Sequence, residues 1–141
     1  MKQFKNTCLL VAGLLMGPVC WAQVAVVVGA QSAASPLSAE QAAALFLGKS
    51  DQLPGVGAVA LLDQPESAPV REQFYSKATG KSAAQVKAAW ARLVFSGKAT
   101  LPKELASSAE VKKALASNPK ALGYIEKSAV DASVKVLLSL D

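Results

Sequence analysis

Apolar residues recur along the chain at two spacings, and the switch between them marks out the elements. Gln23 to Gly29 (QVAVVVG) is nearly all apolar and β-branched, and it reads as a strand buried on both faces, as parallel sheets require. Ser38 then opens a helix running to about Gly48. Gln41 stands three residues after Ser38 in a capping-box arrangement, Ala42, Leu45 and Phe46 share one face, and Gly48 is a natural stop. Asp51 to Gly57 (DQLPGVG) reads as a turn, and Ala58 to Leu62 as a second strand.

The second half repeats the helical spacing three times. Pro69 suits the first turn of a helix that carries Val70 and Phe74 four residues apart and ends near Gly80. Ser82 caps the next, with Gln85 three residues on; Val86, Trp90, Leu93 and Val94 form its apolar stripe, while Lys87 and Arg92 point away. Ser107 or Ser108 caps a fourth helix with Val111 and Leu115, closed by Asn118-Pro119. Ala121 to Glu126 and Val134 to Leu140 read as strands. The order β-α-β-α-α-α-β-β, without internal repeat, predicts an α/β fold: a mixed β-sheet with flanking helices, residues 23–141 forming one domain.

The first 22 residues break this pattern. Lys2 and Lys5, the apolar stretch Leu9 to Gly17, the break at Pro18 and the small residue Ala22 have the layout of a cleavable signal peptide, which predicts a periplasmic protein. The apolar stretch is shorter than the roughly 20 residues a membrane span needs. Val19 and Gly17 depart from the pattern that would make Cys20 a lipid-carrying cysteine. Loss of the leader removes Cys8 and Cys20, both cysteines of the chain, and lowers the formal charge from +5 to +3. The chain has no histidine. Cysteine and histidine mechanisms and the usual zinc and copper ligands are thereby excluded, and the sequence calls for no cofactor and no enzymatic activity. A basic stripe and a nucleic-acid motif are both missing, so no nucleic-acid partner is expected.

Four polar groupings remain as candidate chemistry. Thr79-Gly80-Lys81-Ser82 imitates the end of a phosphate loop, but the earlier glycine position holds Tyr75. Ser117 and Lys120 have S-x-x-K spacing across a helix end. Asp63, Glu66, Glu72 and Glu126 are expected to be solvated carboxylates. The loop from Asp63 to Arg71 (DQPESAPVR) is the best candidate. Ser67 lies at or just before a helix N-terminus, where free N–H groups and the helix dipole favour an anion, and Arg71 stands one turn in. The plainer account makes Ser67 an ordinary cap and pairs Arg71 with a nearby carboxylate.

Several segments resemble, in order, the phosphate-type periplasmic solute-binding proteins of ABC transporters. Leu37-Ser38-Ala39-Glu40 with Leu45-Phe46-Leu47-Gly48-Lys49 resembles that family's LS-x-E and iF-x-G-K helix. Asp63 to Phe74 resembles its strand–loop–helix, Trp90 to Gly97 (WARLVFSG) its W…iF-s-G helix end, and Leu122-Gly123-Tyr124-Ile125 its iGYv strand. The resemblance covers roughly residues 24–126, and it matches the second lobe only. It implies one lobe of a type II periplasmic-binding-protein-like fold and a non-enzymatic binding protein for phosphate or a similar oxyanion. Ser67 and Arg71 would be its ligand groups, with Ser38 and Ser35 as secondary ones. A membrane transporter or sensor, or a second copy as a homodimer, would be the partner. Where the family has Arg followed by Ser-Gly-Thr, this sequence has Asp63 followed by Ser67-Ala68-Pro69, so Ser67 alone of those groups carries over. The other reading the resemblance allows is a module without a ligand that docks on a periplasmic or membrane sensor, transporter or porin.

Overall fold

The computed structural model describes residues 23–141; the leader expected over residues 1–22 lies outside the described residues. Seven strands and four helices follow in the order β1 (Val24–Gly29), α1 (Ala39–Phe46), β2 (Gln52–Leu53), β3 (Gly57–Ala58), β4 (Ala60–Asp63), α2 (Pro69–Thr79), α3 (Ala83–Phe95), β5 (Lys103–Glu104), α4 (Ser108–Ser117), β6 (Ala121–Glu126) and β7 (Val134–Leu140). Five strands form one mixed sheet in the order β5-β4-β6-β1-β7, and β2 and β3 form a separate short hairpin.

Every residue of β1 is buried, as its unbroken apolar run demands. The pairing differs from the parallel arrangement expected of such a run, because β1 is antiparallel to both neighbours, β6 and β7. The parallel pairs of the sheet are those of β4 with β5 and with β6. The burial of β1 comes instead from helices on both faces. Val24, Val26 and Val28 face the core that contains α1, α2 and α3, while Ala25 and Val27 face the smaller core under α4. A strand sandwiched in this way reads as continuously apolar whichever way its neighbours run.

The sequence signals at helix ends are realised. Ser38 and Ser82 each close a full capping box, with Gln41 and Gln85 respectively. Ser107 accepts from the Glu110 N–H at the start of α4. Gly48, Gly80 and Gly97 take positive φ just past the ends of α1, α2 and α3. Two expectations change. The 51–57 turn is wrapped by the β2–β3 hairpin, and the stripe of α3 is narrower than its sequence suggests: Val86 and Trp90 are buried, Leu93 is half-buried, and Val94 and Phe95 are exposed. The apolar face of α3 therefore exceeds what the sheet layer covers.

Close approach of α4 to the sheet depends on two glycines. A Cβ at Gly29 would stand 2.4 Å from the Leu115 carbonyl oxygen, and one at Gly123 would stand 2.8 Å from Val111 Cγ1. The first clash is with backbone, so the helix itself must move. Gly29→Ala is expected to cost about 1–3 kcal/mol, the usual range for overpacking, as read by urea denaturation, although alanine has the better intrinsic propensity. A neutral result would show that α4 rides more loosely on the sheet than this spacing implies.

Candidate functional site

β4 delivers Asp63 to the end of the sheet, and the carboxylate is buried rather than solvated. This corrects the expectation for that residue; Glu66, Glu72 and Glu126 are exposed as expected. Burial of a carboxylate is tolerated only when donors surround it. Asp63 Oδ1 accepts from the Gln64 N–H at 2.8 Å and from the Tyr124 hydroxyl, and Oδ2 accepts from the Tyr75 hydroxyl at 2.8 Å. The Arg71 guanidinium lies 3.8 Å from Oδ2. Gln64, also buried, donates from Nε2 to the Tyr124 carbonyl at 2.9 Å and to Ser108 Oγ at 3.1 Å. The cluster thus ties β4, α2, β6 and the start of α4 together.

Aromatic packing fixes the two phenols. Phe74 stacks on Tyr124 with centroids 4.1 Å apart and planes 6° apart, and Phe46 of α1 meets Phe74 edge-on at 4.7 Å. Burial is the main cause that pushes both phenols above their ordinary range, with the Asp63 carboxylate adding to it. The hydroxyls stay protonated as donors.

Arg71 points into this cluster. Its Nη1 donates to the Gln64 carbonyl at 2.8 Å and lies 3.7 Å from Glu104, and its Nε is buried without a partner among the described residues. The guanidinium carbon sits 5.8 Å from the centre of the Tyr75 ring. A small recess of about 140 Å³ adjoins it, lined among others by Asp63, Glu66, Lys87 and Glu104. Glu66 is hydrogen-bonded to Lys87, and that bond chiefly holds its carboxyl below the ordinary range.

Ser67 sits in the exposed turn before α2 and does not cap the helix; the N-cap is Ala68, without a side-chain bond. The Ala68 N–H donates to the Pro65 carbonyl at 2.9 Å, Pro69 has no N–H, and the Arg71 N–H donates to the Ala68 carbonyl at 3.0 Å. The Ser67 hydroxyl and the N–H groups of Glu66, Ser67 and Val70 are left without a partner here among the described residues, and of these Val70 is buried. Ser38 is the cap of α1, and exposed Ser35 donates its N–H to the Pro54 carbonyl at 2.9 Å. Neither makes a hydrogen bond to Ser67 or Arg71. Of the two imitations of motifs, Gly80 and Ser82 serve as the α2 stop and the α3 cap, and Ser117 Oγ donates to the Ala114 carbonyl at 3.1 Å.

The sequence pattern predicts no buried cluster of Asp63, Gln64, Tyr75 and Tyr124. One signal was available: α2 places two aromatics side by side at Phe74-Tyr75, beyond the width of a single apolar stripe. Because Tyr75 and Tyr124 are the two tyrosines of the chain, alkaline titration isolates them. Their raised folded-state pKa means that the native state holds protons that the unfolded state gives up above about pH 10, so stability is complete below that value and falls as pH climbs beyond it. Phenolate absorbance is expected to appear only together with loss of the circular dichroism signal. Titration of either tyrosine in folded protein would show that its hydroxyl is accessible.

No family model matches the chain, and no curated protein matches it. Solved structures do. It superposes on a phosphate ABC transporter substrate-binding protein with bound phosphate from Clostridium perfringens with a TM-score of 0.63 at 18% identity, covering 82% of this chain and 45% of that one. For an ABC-type phosphate transport receptor from Vibrio cholerae the TM-score is 0.63 at 21% identity, over 82% and 46% of the two chains. PstS from Borrelia burgdorferi gives 0.51 at 13% identity, over 82% and 47%. The chain spans less than half the length of these proteins. Its mixed sheet and flanking helices are the fold of one lobe of phosphate ABC transporter substrate-binding proteins.

Proposed function

We propose that the chain is an exported, non-enzymatic solute-binding lobe whose oxyanion site is completed by a second surface. The observation that carries this reading is the likeness, over less than half its length, to a protein with phosphate bound. A lobe of that fold presents helix N-termini at strand ends, and α2 follows β4 in that way with the hydroxyl and N–H of exposed Ser67 open to an anion. Two donors are too few to strip a phosphate of its water. The remaining donors then come from a partner, either a second copy or a membrane transporter or sensor, and Arg71 adds charge from behind the loop. The leader makes the periplasm the place of action.

One observation favours a second reading, in which the lobe holds no solute and docks on a periplasmic or membrane sensor, transporter or porin. Asp63 stands at the strand end with a full set of donors around its carboxylate, so the protein supplies its own anion. Ligand would be redundant there, and the loop would serve as a rigid contact surface.

Titration with inorganic phosphate, followed by the amide NMR signals of Ser67 and Val70, separates the two. The first reading expects saturable shifts at those amides with a Kd of about 1–10 mM for the chain alone, near −4 kcal/mol or weaker, and at least about fivefold weaker binding in Ser67→Ala. An unmoved spectrum at phosphate well above that range would eliminate the oxyanion site and leave docking as the function.

A further inference from the structure

Two helices of this fold end in the same four-residue pattern. Phe46-Leu47-Gly48-Lys49 closes α1 and Phe95-Ser96-Gly97-Lys98 closes α3, each with its glycine at φ +75°. Both lysines open into one cleft of about 470 Å³, where Lys103 of the edge strand β5 joins them. The cleft lies against the start of β4, whereas Ser67 follows the end of that strand. It is a different place from the oxyanion loop.

The walls are fixed by packing. Trp90 donates its indole N–H to the Phe46 carbonyl at 2.7 Å, pinning α3 to the end of α1. A Cβ at Gly48 would meet Leu93 Cδ1 at 2.4 Å and the Trp90 ring at 3.3 Å, so the two helix ends touch directly. Leu61 and Trp90 line the cleft as an apolar floor, and Leu101, a large apolar side chain left 60% exposed, stands on its rim.

The charges are what this packing leaves unexplained. A helix C-terminus favours a cation, and a lysine on an edge strand discourages strand pairing. Those effects account for each lysine singly, not for three from separate segments around one apolar hollow. None of Lys49, Lys98 and Lys103 lies within ion-pair distance of a carboxylate among the described residues, a state they share with Lys77, Lys81, Lys120 and Lys135, which lie outside the cleft. Asp51 is the single carboxylate lining the cleft, and it accepts from Gln52 Nε2 at 3.0 Å. The volume falls within the range of small-molecule pockets.

We propose that this cleft binds a small amphiphilic anion, an apolar body on the Leu61–Trp90 floor beside Leu101 with its phosphate or carboxylate head among Lys49, Lys98 and Lys103. The apolar floor sets it apart from a site for inorganic phosphate, which has nothing to bury there.

Phenyl phosphate is the probe. In a Trp21→Phe background Trp90 is the sole tryptophan, and its emission reports the cleft directly. Phenyl phosphate is expected to change that emission saturably with a Kd below about 1 mM, with phenol and inorganic phosphate each at least about tenfold weaker by the same signal. The paired change Lys98→Gln with Lys103→Gln removes two exposed charges; it is expected to weaken phenyl phosphate at least about tenfold with an unchanged melting temperature, and Ser67→Ala is expected to leave it unaltered. Amide NMR shifts at Lys49 and Lys98 provide a second readout for any variant of altered stability. Equal binding of phenol, unaltered binding by the lysine variant, or a response to anionic lipid vesicles without one to soluble phenyl phosphate would each overturn the proposal.

Discussion

The Asp63 carboxylate, buried at the end of β4, organises more of this molecule than any other single group. A buried carboxylate needs donors, and here they come from its own loop (the Gln64 N–H), from α2 (Tyr75) and from β6 (Tyr124). Satisfying it therefore fixes α2 against the sheet. It also fixes Phe74, whose ring stacks on Tyr124, and through Phe74 the end of α1 at Phe46. The larger core and the polar cluster are thus one packing problem. Removing the carboxylate would leave two phenols buried without their acceptor and the Arg71 guanidinium without its buried countercharge, a larger loss than any one of the hydrogen bonds.

The same constraint shapes the candidate loop. Once Arg71 turns inward to the Gln64 carbonyl and the Asp63 carboxylate, its guanidinium no longer projects beside Ser67. The serine cap that the plainer account expects at Ser67 is replaced by Ala68-Pro69, which consume or lack their N–H donors. What remains exposed at the strand end is a short, stiff surface with few donors. Rigidity suits a half-site that meets a partner, because a preformed surface loses little freedom on association.

Most of the fold was legible because its signals are local. Serine caps with glutamine three residues on, glycines past helix ends and β-branched runs each act within a few residues, and β6 and β7 fall on the residues their patterns predict. Strand direction was not legible: β1 is apolar throughout because helices cover both faces, and that composition is indifferent to whether β6 and β7 run with it or against it. The burial of Asp63 is hidden from the sequence for a related reason. Its donors are Tyr75, twelve residues away, and Tyr124, sixty-one residues away, and no local spacing links them. Ser67 and Arg71 were correctly placed around a helix start, yet the sequence left open which way Arg71 turns, because either a ligand or a carboxylate can neutralise it.

The electrostatics of the two ends of β4 bear on where an anion would go. At the end of the strand, the recess beside buried Arg71 is bordered by Asp63, Glu66, Lys87 and Glu104, and both of its basic groups are already paired with carboxylates. At the start of the strand, three lysines face solvent around a cleft with one aspartate. Among the described residues, an anion approaching the lobe finds no free positive charge at the first place and three unpaired lysines at the second, and the low-dielectric floor of the cleft strengthens the attraction. For the oxyanion loop to win, its partner must bring enough positive charge to reverse that preference. Without one, anion traffic on this lobe runs to the lysine cleft.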